Sequence, residues 1–420
     1  QITFTSVPSN PFVYLDVDDT NTGDGNLVVV DVSNSSPAAS GGLVLVANGA
    51  TVNWPAAAPA KTWLGLTQDW HTTTNWSPAG LPTATDDVVI PVTANQPILS
   101  AAGSTRNLTV QTGVLLNLNS FALNVNGNVS APSATSIIGS GGTLNLLGAG
   151  GTIGGTLSSG LQVNVSGTYG LSARTVIGNL TVSGTGDMAM NGQTLVVGGA
   201  LNTAASGTIT MTNPLDSVLV TGAAIFGGGF TGGKLADGYL KIGGSFNQTS
   251  GTTAGSFAAS GNHKTELGAA AVRVVTFASP GFGTGTSQFN HLDITGATGG
   301  LTLNSNVAVL GTFMSAPAAG TPLLSGGGGQ VLTVQGGTQV TGLIVDAVPI
   351  VADLTGGGPL QFNGVTFQNM PTTAIQLAVT HPGTPGGFTL TNLAFSTTPT
   401  SGLYLQATDA DGGPPNTFTL

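Results

Sequence analysis

Leu195-Val196-Val197-Gly198-Gly199-Ala200-Leu201 and Val218-Leu219-Val220-Thr221-Gly222-Ala223-Ala224 share one pattern: apolar, any, apolar, any, Gly, any, apolar. It recurs at Leu123-Val125-Gly127-Val129, Leu240-Ile242-Gly244-Phe246, Val307-Val309-Gly311-Phe313 and Leu332-Val334-Gly336. The steps between first residues are 72, 23, 22, 67 and 25. The two long gaps read as three short ones, so a unit of about 22–25 residues repeats, and that period marks a solenoid. Sliding the chain by 72 lays Asn107-Leu108-Thr109-Val110 on Asn179-Leu180-Thr181-Val182, and Leu116 and Leu118 on Met188 and Met190.

Composition agrees. Only 6% of the 420 residues are charged, with a single Glu (Glu266), against about a quarter in ordinary domains. Polar helix formers are therefore scarce, while Gly (66 residues), Ser, Thr, Asn and Val favour short strands and tight turns. Strands alternate, as at Leu144-Leu146, Val163-Val165 and Leu301-Leu303, so one face turns inward. No apolar run reaches the length of a membrane span. The net charge of −10, without clustered Lys and Arg, argues against nucleic-acid binding. Zero Cys excludes disulfides and thiolate metal sites.

The expected organisation has four parts. Residues 1–58 hold four strand-like runs (Ile2-Phe4, Phe12-Leu15, Leu27-Val30, Leu43-Val46) and form a small N-terminal β-sandwich-like head. Residues 59–91 contain Trp63, Trp70 and Trp76 and form an entry cap over the open end of a solenoid. Residues 92–395 are the solenoid, about 13 coils forming a rod near 60 Å long, with an irregular stretch at 247–290. Residues 396–420 form a C-terminal strand or cap. The fold class is all-β: a right-handed parallel β-helix.

At Trp63…Asp69-Trp70…Asn75-Trp76-Ser77…Pro82…Asp86-Asp87-Val88-Val89-Ile90-Pro91 the chain resembles a segment of large bacterial surface proteins. In these, a Trp-rich opening leads into a Gly/Asn/Thr-rich β-helix of the autotransporter or filamentous-haemagglutinin kind. The resemblance covers roughly 60–395 and implies an extracellular location with adhesive or scaffolding roles. It brings no catalytic residues. The chain carries no Arg-Gly-Asp tripeptide.

Few residues offer chemistry. In the solenoid, Asp216 and Asp237 sit about one coil apart with Lys234 and Lys241 nearby; supporting a turn is the expectation for each Asp, and a polysaccharide lyase or hydrolase is the lesser alternative. His71, His263, His291 and His381 show no metal-ligand spacing. In the head, Asp16, Asp18, Asp19, Asn21 and Asp24 alternate with Gly as oxygen ligands around Ca²⁺ do, though without the terminal Glu of an EF-hand; a solvated acidic turn is the other reading. No cofactor is required. Trp63, Trp70 and Trp76 admit two roles, a buried cap or a platform stacking on sugars. Seven Asn-x-Ser/Thr sequons occur, at Asn34, Asn75, Asn107, Asn128, Asn164, Asn179 and Asn247; several lie in expected strands, where repetition of Asn-Leu-Thr units explains them without glycosylation.

The expected function is that of a non-enzymatic, secreted structural protein with a processed N-terminus, which starts at Gln1 and not Met. Its partner is itself: Gln1, Ile2, Thr3, Phe4 and Thr5 can add a strand to a neighbour, and such head-to-tail contacts grow filaments or layers. The alternative is a monomeric β-helical adhesin stalk that binds glycan or protein. No membrane insertion is expected.

Overall fold

The computed structural model describes residues 59–132, 137–158, 160–268, 270–317, 320–353, 358–371, 373–379, 388–396 and 401–407. The chain divides into two compact units, Gln1–Pro59 and Ala60–Leu420. The expected head, its candidate Ca²⁺ ligands Asp16, Asp18, Asp19, Asn21 and Asp24, and the candidate assembly strand Gln1–Thr5 lie outside the described residues.

The second unit is a parallel β-solenoid of about 12 turns, 47% strand. Among the described residues there is no α-helix, and one short 3-10 turn, Thr73–Asn75. One ladder of 14 strands runs from Gly103–Thr105 through Ala122–Val125 and Thr143–Leu146 to Ala394–Phe395. A second, of five, begins at Val307–Val309 and ends at Ser401–Ala407. An 18-stranded sheet forms a further face and part of another, and Leu116–Asn117 pairs with Ile137–Ile138 in a short ladder of its own. It forks because Thr168–Ile177 bends around a corner: its first half pairs with Asp187–Ala189 and its second with Thr194–Val197.

The alternation makes the core. Leu123, Leu144, Val163, Leu180, Leu201 and Ala224 stand in register on successive coils, and each is fully buried. Burying one such Leu or Val contributes ~1.5–3 kcal/mol. Their outward neighbours form a second row, in which the Asn145 amide donates to Asn124 Oδ1 and Asn164 to Asn145 Oδ1, both at 2.9 Å. The Asn164 sequon is thus engaged in a ladder, as the repeat implies. Asn75 is buried likewise, and donates to Thr67 Oγ1 and Asp69 O at 2.7 Å.

The glycine of the repeating pattern has a steric cause. Gly222 N–H donates to Gly199 O at 2.9 Å, and Gly244 N–H to Gly222 O at 2.8 Å. The corners therefore stack backbone on backbone. A Cβ at Gly222 would lie 2.6 Å from Gly199 O, far inside contact distance. Gly222→Ala is expected to cost ~1–3 kcal/mol by overpacking, read as a lowered urea midpoint. An unchanged midpoint would mean that the corner relaxes freely.

The pattern marks corners in general, not one corner of each coil. Leu108 pairs with Val88 and Val129, whereas Leu180 belongs to the ladder of Val163 and Leu201. The shift that superimposes Asn107–Val110 on Asn179–Val182 therefore lays one face on another and is not a whole number of coils. Coil length also varies more than the spacing predicts. Gln162 pairs with Asn179, well short of the expected step, whereas Phe246 pairs with Val275, well beyond it. That long step falls inside the stretch expected to be irregular. Five phenylalanines (Phe226, Phe246, Phe257, Phe277 and Phe289) fill the interior there, with Phe246 4.8–5.7 Å from each of the other four.

Candidate functional site

In a chain with so few charges, several sit on one outer surface. The strands Tyr239–Ile242, Lys264–Leu267 and His291–Asp293 are neighbours in one ladder. Their register aligns Tyr239 with Lys264 and His291, and Lys241 with Glu266 and Asp293. Inward positions such as Leu240 and Ile242 anchor each strand in the core and leave these side chains facing outward.

The charges are matched. Lys241 Nζ meets Glu266 Oε1 at 2.7 Å, and Lys264 Nζ meets Asp293 Oδ2 at 2.7 Å. The Tyr239 hydroxyl donates to Glu266 Oε2, and Thr295 N–H donates to Asp293 Oδ1 at 2.8 Å. Burial, then the Glu266 carboxylate, pushes the Tyr239 phenol well above its ordinary range. Burial alone would raise the Asp293 carboxyl, but Lys264 and Thr295 hold it below the usual range. Asp293 is thus an ionised acceptor at neutral pH, Tyr239 is a protonated donor, and the row carries no net charge.

Beyond Asp293 the ladder continues without charge. Asp293 aligns with Met314, Met314 with Gln339, Gln339 with Gln361, and Gln361 with Thr389. A trough of about 570 Å³ runs over these rungs, lined by Asp293, Thr295, Gln339, Gln361, Asn363 and Thr389 among others. Asn363 Oδ1 accepts from Thr391 Oγ1 at 3.0 Å and from Asn392 Nδ2 at 3.1 Å. Among the described residues the side-chain amides of Gln339 and Gln361 have no such partner. Five rungs at about 4.8 Å make an elongated polar surface, able to exchange hydrogen bonds with a ligand that repeats along its length.

The carboxylates singled out from sequence stand elsewhere. Asp216 is buried and accepts from Gly192, Thr212 and Asn213 N–H at 2.6–2.9 Å. Asp237 accepts from its own neighbour, Gly238 N–H, at 2.9 Å. Both support turns, as expected, while Lys234 pairs with Asp187 at 2.9 Å and Lys241 with Glu266. His71 contacts Ala102 O at 3.1 Å, His263 is buried, and His381 lies outside the described residues. Among the described residues no three His, Asp or Glu are grouped to hold a metal, and no helix is long and apolar enough to cross a membrane.

Trp63, Trp70 and Trp76 are each 1% exposed. Trp76 meets Trp63 and Trp70 edge to face, with centroids 5.0 and 4.6 Å apart, and its Nε1–H donates to Trp70 O at 2.8 Å. Rings so enclosed offer no face to a sugar. Strand Lys61–Trp63 pairs parallel with Val88–Ile90 and antiparallel with Trp76–Ser77. The acidic pair of the Trp-rich segment is structural too. Asp86 Oδ2 accepts from Thr83 N–H at 2.8 Å, and Asp87 takes Arg106 in a two-pronged contact and Asn107 Nδ2, all at 2.7 Å.

Glu266 and Asp293 form a site that sequence reasoning missed. The only signal for it is that Lys241, Glu266 and Asp293 follow one another at steps close to one coil.

The model of a domain of unknown function (DUF8693) matches residues 62–144. That span takes in the Trp cluster and the first coils. No curated protein and no solved structure matches the chain.

Proposed function

We propose that this chain is an extracellular, non-enzymatic β-helical stalk that displays a ligand-binding surface. The trough beyond Asp293 carries this reading. Its amide and hydroxyl rungs are held by a continuous apolar core, and the charged row beside it is neutralised from within. Such a surface suits a neutral, hydrogen-bonding partner, a glycan or a protein segment. The first coils, with their buried Trp cluster and antiparallel strand, act as the entry cap. The test is binding of the full chain to arrayed glycans and surface proteins. Saturable binding is expected, weakened about tenfold by Gln339→Ala with Gln361→Ala at an unchanged melting temperature. Binding indifferent to that pair overturns the role of the trough.

The second reading is head-to-tail self-assembly into a filament or layer. Among the described strands Gly103–Thr105 pairs only with Ala122–Val125, and an edge strand is a template for another chain. Gln1–Thr5 is the segment we assign to that contact. Electron microscopy of the native protein should show fibres with a constant axial repeat, and removal of residues 1–10 should leave isolated rods. Fibres that survive the deletion would exclude strand donation.

A further inference from the structure

The widened coil carries a second concave site, on a different part of the surface. The long coil from Phe246 to Val275 supplies Ala258 and Ser260 to its wall. Phe230, Gly232 and Gly233 from the preceding coil and residues 282–286 from the following one complete a cleft of about 270 Å³. A solenoid that breaks its own repeat loses ladder bonds there, and local rules are broken most often at functional sites.

Three features give the cleft a chemistry. Phe230 is 49% exposed, yet its ring is braced. A Cβ on Gly255 would lie 2.6 Å from the ring, and one on Gly232 would overlap it. Glycine at both positions lets the chain close against the ring, which is thereby held in place at the surface. Phe282 supplies a second aromatic side chain on the wall. Gln288, also on the wall, is buried. Its amide nitrogen donates to Ala259 O at 3.1 Å, and its Oε1, without a donor among the described residues, is closed off from the cleft. Ser260 and Thr284 add hydroxyls, and among the described residues no ionisable side chain lines the cleft.

We propose that this cleft binds a neutral saccharide unit, with Phe230 as the stacking platform and the wall hydroxyls of Ser260 and Thr284 as partners for ring hydroxyls. The apolar C–H face of a sugar ring matches an aromatic surface, and its hydroxyls pair with those of the wall. Absence of charge selects a neutral sugar over a uronate or a sulfated one. The volume lies below that of ordinary drug-sized pockets, so the cleft takes a single ring and not a chain. The site is separate from the trough and stands whether or not the trough binds anything.

The test uses the full chain with methyl glycosides of glucose, galactose, mannose and N-acetylglucosamine, followed by saturation-transfer NMR. At least one should bind, with transfer strongest to its ring C–H protons. Phe230→Ala should weaken that binding at least tenfold, and Phe230→Trp should keep it. Phe230→Leu preserves apolar bulk without a flat ring and should lose binding as Ala does, even if Ala disturbs the fold. Gln339→Ala with Gln361→Ala should leave it unchanged. The proposal is overturned if none of the glycosides binds, if binding survives both Phe230→Ala and Phe230→Leu, or if only the trough variant abolishes it.

Discussion

Trp76→Ala is expected to destabilise the first coils by ~3–5 kcal/mol, the range for truncating a buried aromatic. The ring is 1% exposed and touches two other indoles, so its loss opens a cavity bounded by rigid neighbours. It also removes the donor to Trp70 O. The damage should be local, because coils contact only their neighbours in sequence. Hydrogen exchange should accelerate across residues 61–110, while strands such as Leu301–Leu303 and Leu332–Val334 keep their protection. Equal acceleration throughout would show that the solenoid unfolds as one cooperative body.

Acid should weaken the protein through His263. Its imidazole is fully buried, neither ring nitrogen has a hydrogen-bond partner among the described residues, and its ring lies 6.1 Å from that of Phe257. Burial lowers its pKa from 6.5 to about 4, with Asp237 pulling upward and His291 downward. The folded protein thus holds a neutral ring, and the unfolded chain takes up the proton first. Stability from this residue is complete above pH 6.5 and is lost as pH falls from 6.5 towards 4, a change on the order of 3 kcal/mol. Below that window the loss levels off. Melting temperatures between pH 7 and 4 should fall for the parent and fall less for His263→Leu. Parallel curves for the two would mean that the proton is taken up elsewhere.

Much of the architecture was legible because a parallel solenoid writes its geometry locally. Leu195-Val197-Gly199-Leu201 holds two inward residues, a corner where backbone meets backbone, and the next inward residue. The misreading of the long self-match as whole coils has the same origin. All corners obey one steric rule, so Asn107–Val110 and Asn179–Val182 look alike while lying on different faces. The charged row was hidden for the opposite reason. Lys241, Glu266 and Asp293 are brought together only by stacking, and coil lengths vary too much for spacing alone to align them. The cleft at Phe230 was further out of reach. It depends on two glycines that make room for a ring, and neither is periodic. The cap was read from tryptophans whose burial the structure shows, whereas the sugar-stacking reading of those rings needed exposed faces that they lack.

The direction of the ladders has a mechanical consequence. Main-chain hydrogen bonds between coils point along the solenoid axis, so tension between its two ends pulls directly against them. Two or three strand ladders share that load along the described coils. When a terminal coil gives way it detaches alone, since the next is held by its own bonds. A coil such as that from Ala224 to Phe246 then releases up to ~75 Å of chain against the ~5 Å it occupied. A stalk built this way lengthens in discrete steps from its ends, absorbing a sudden pull while its remaining length keeps its shape.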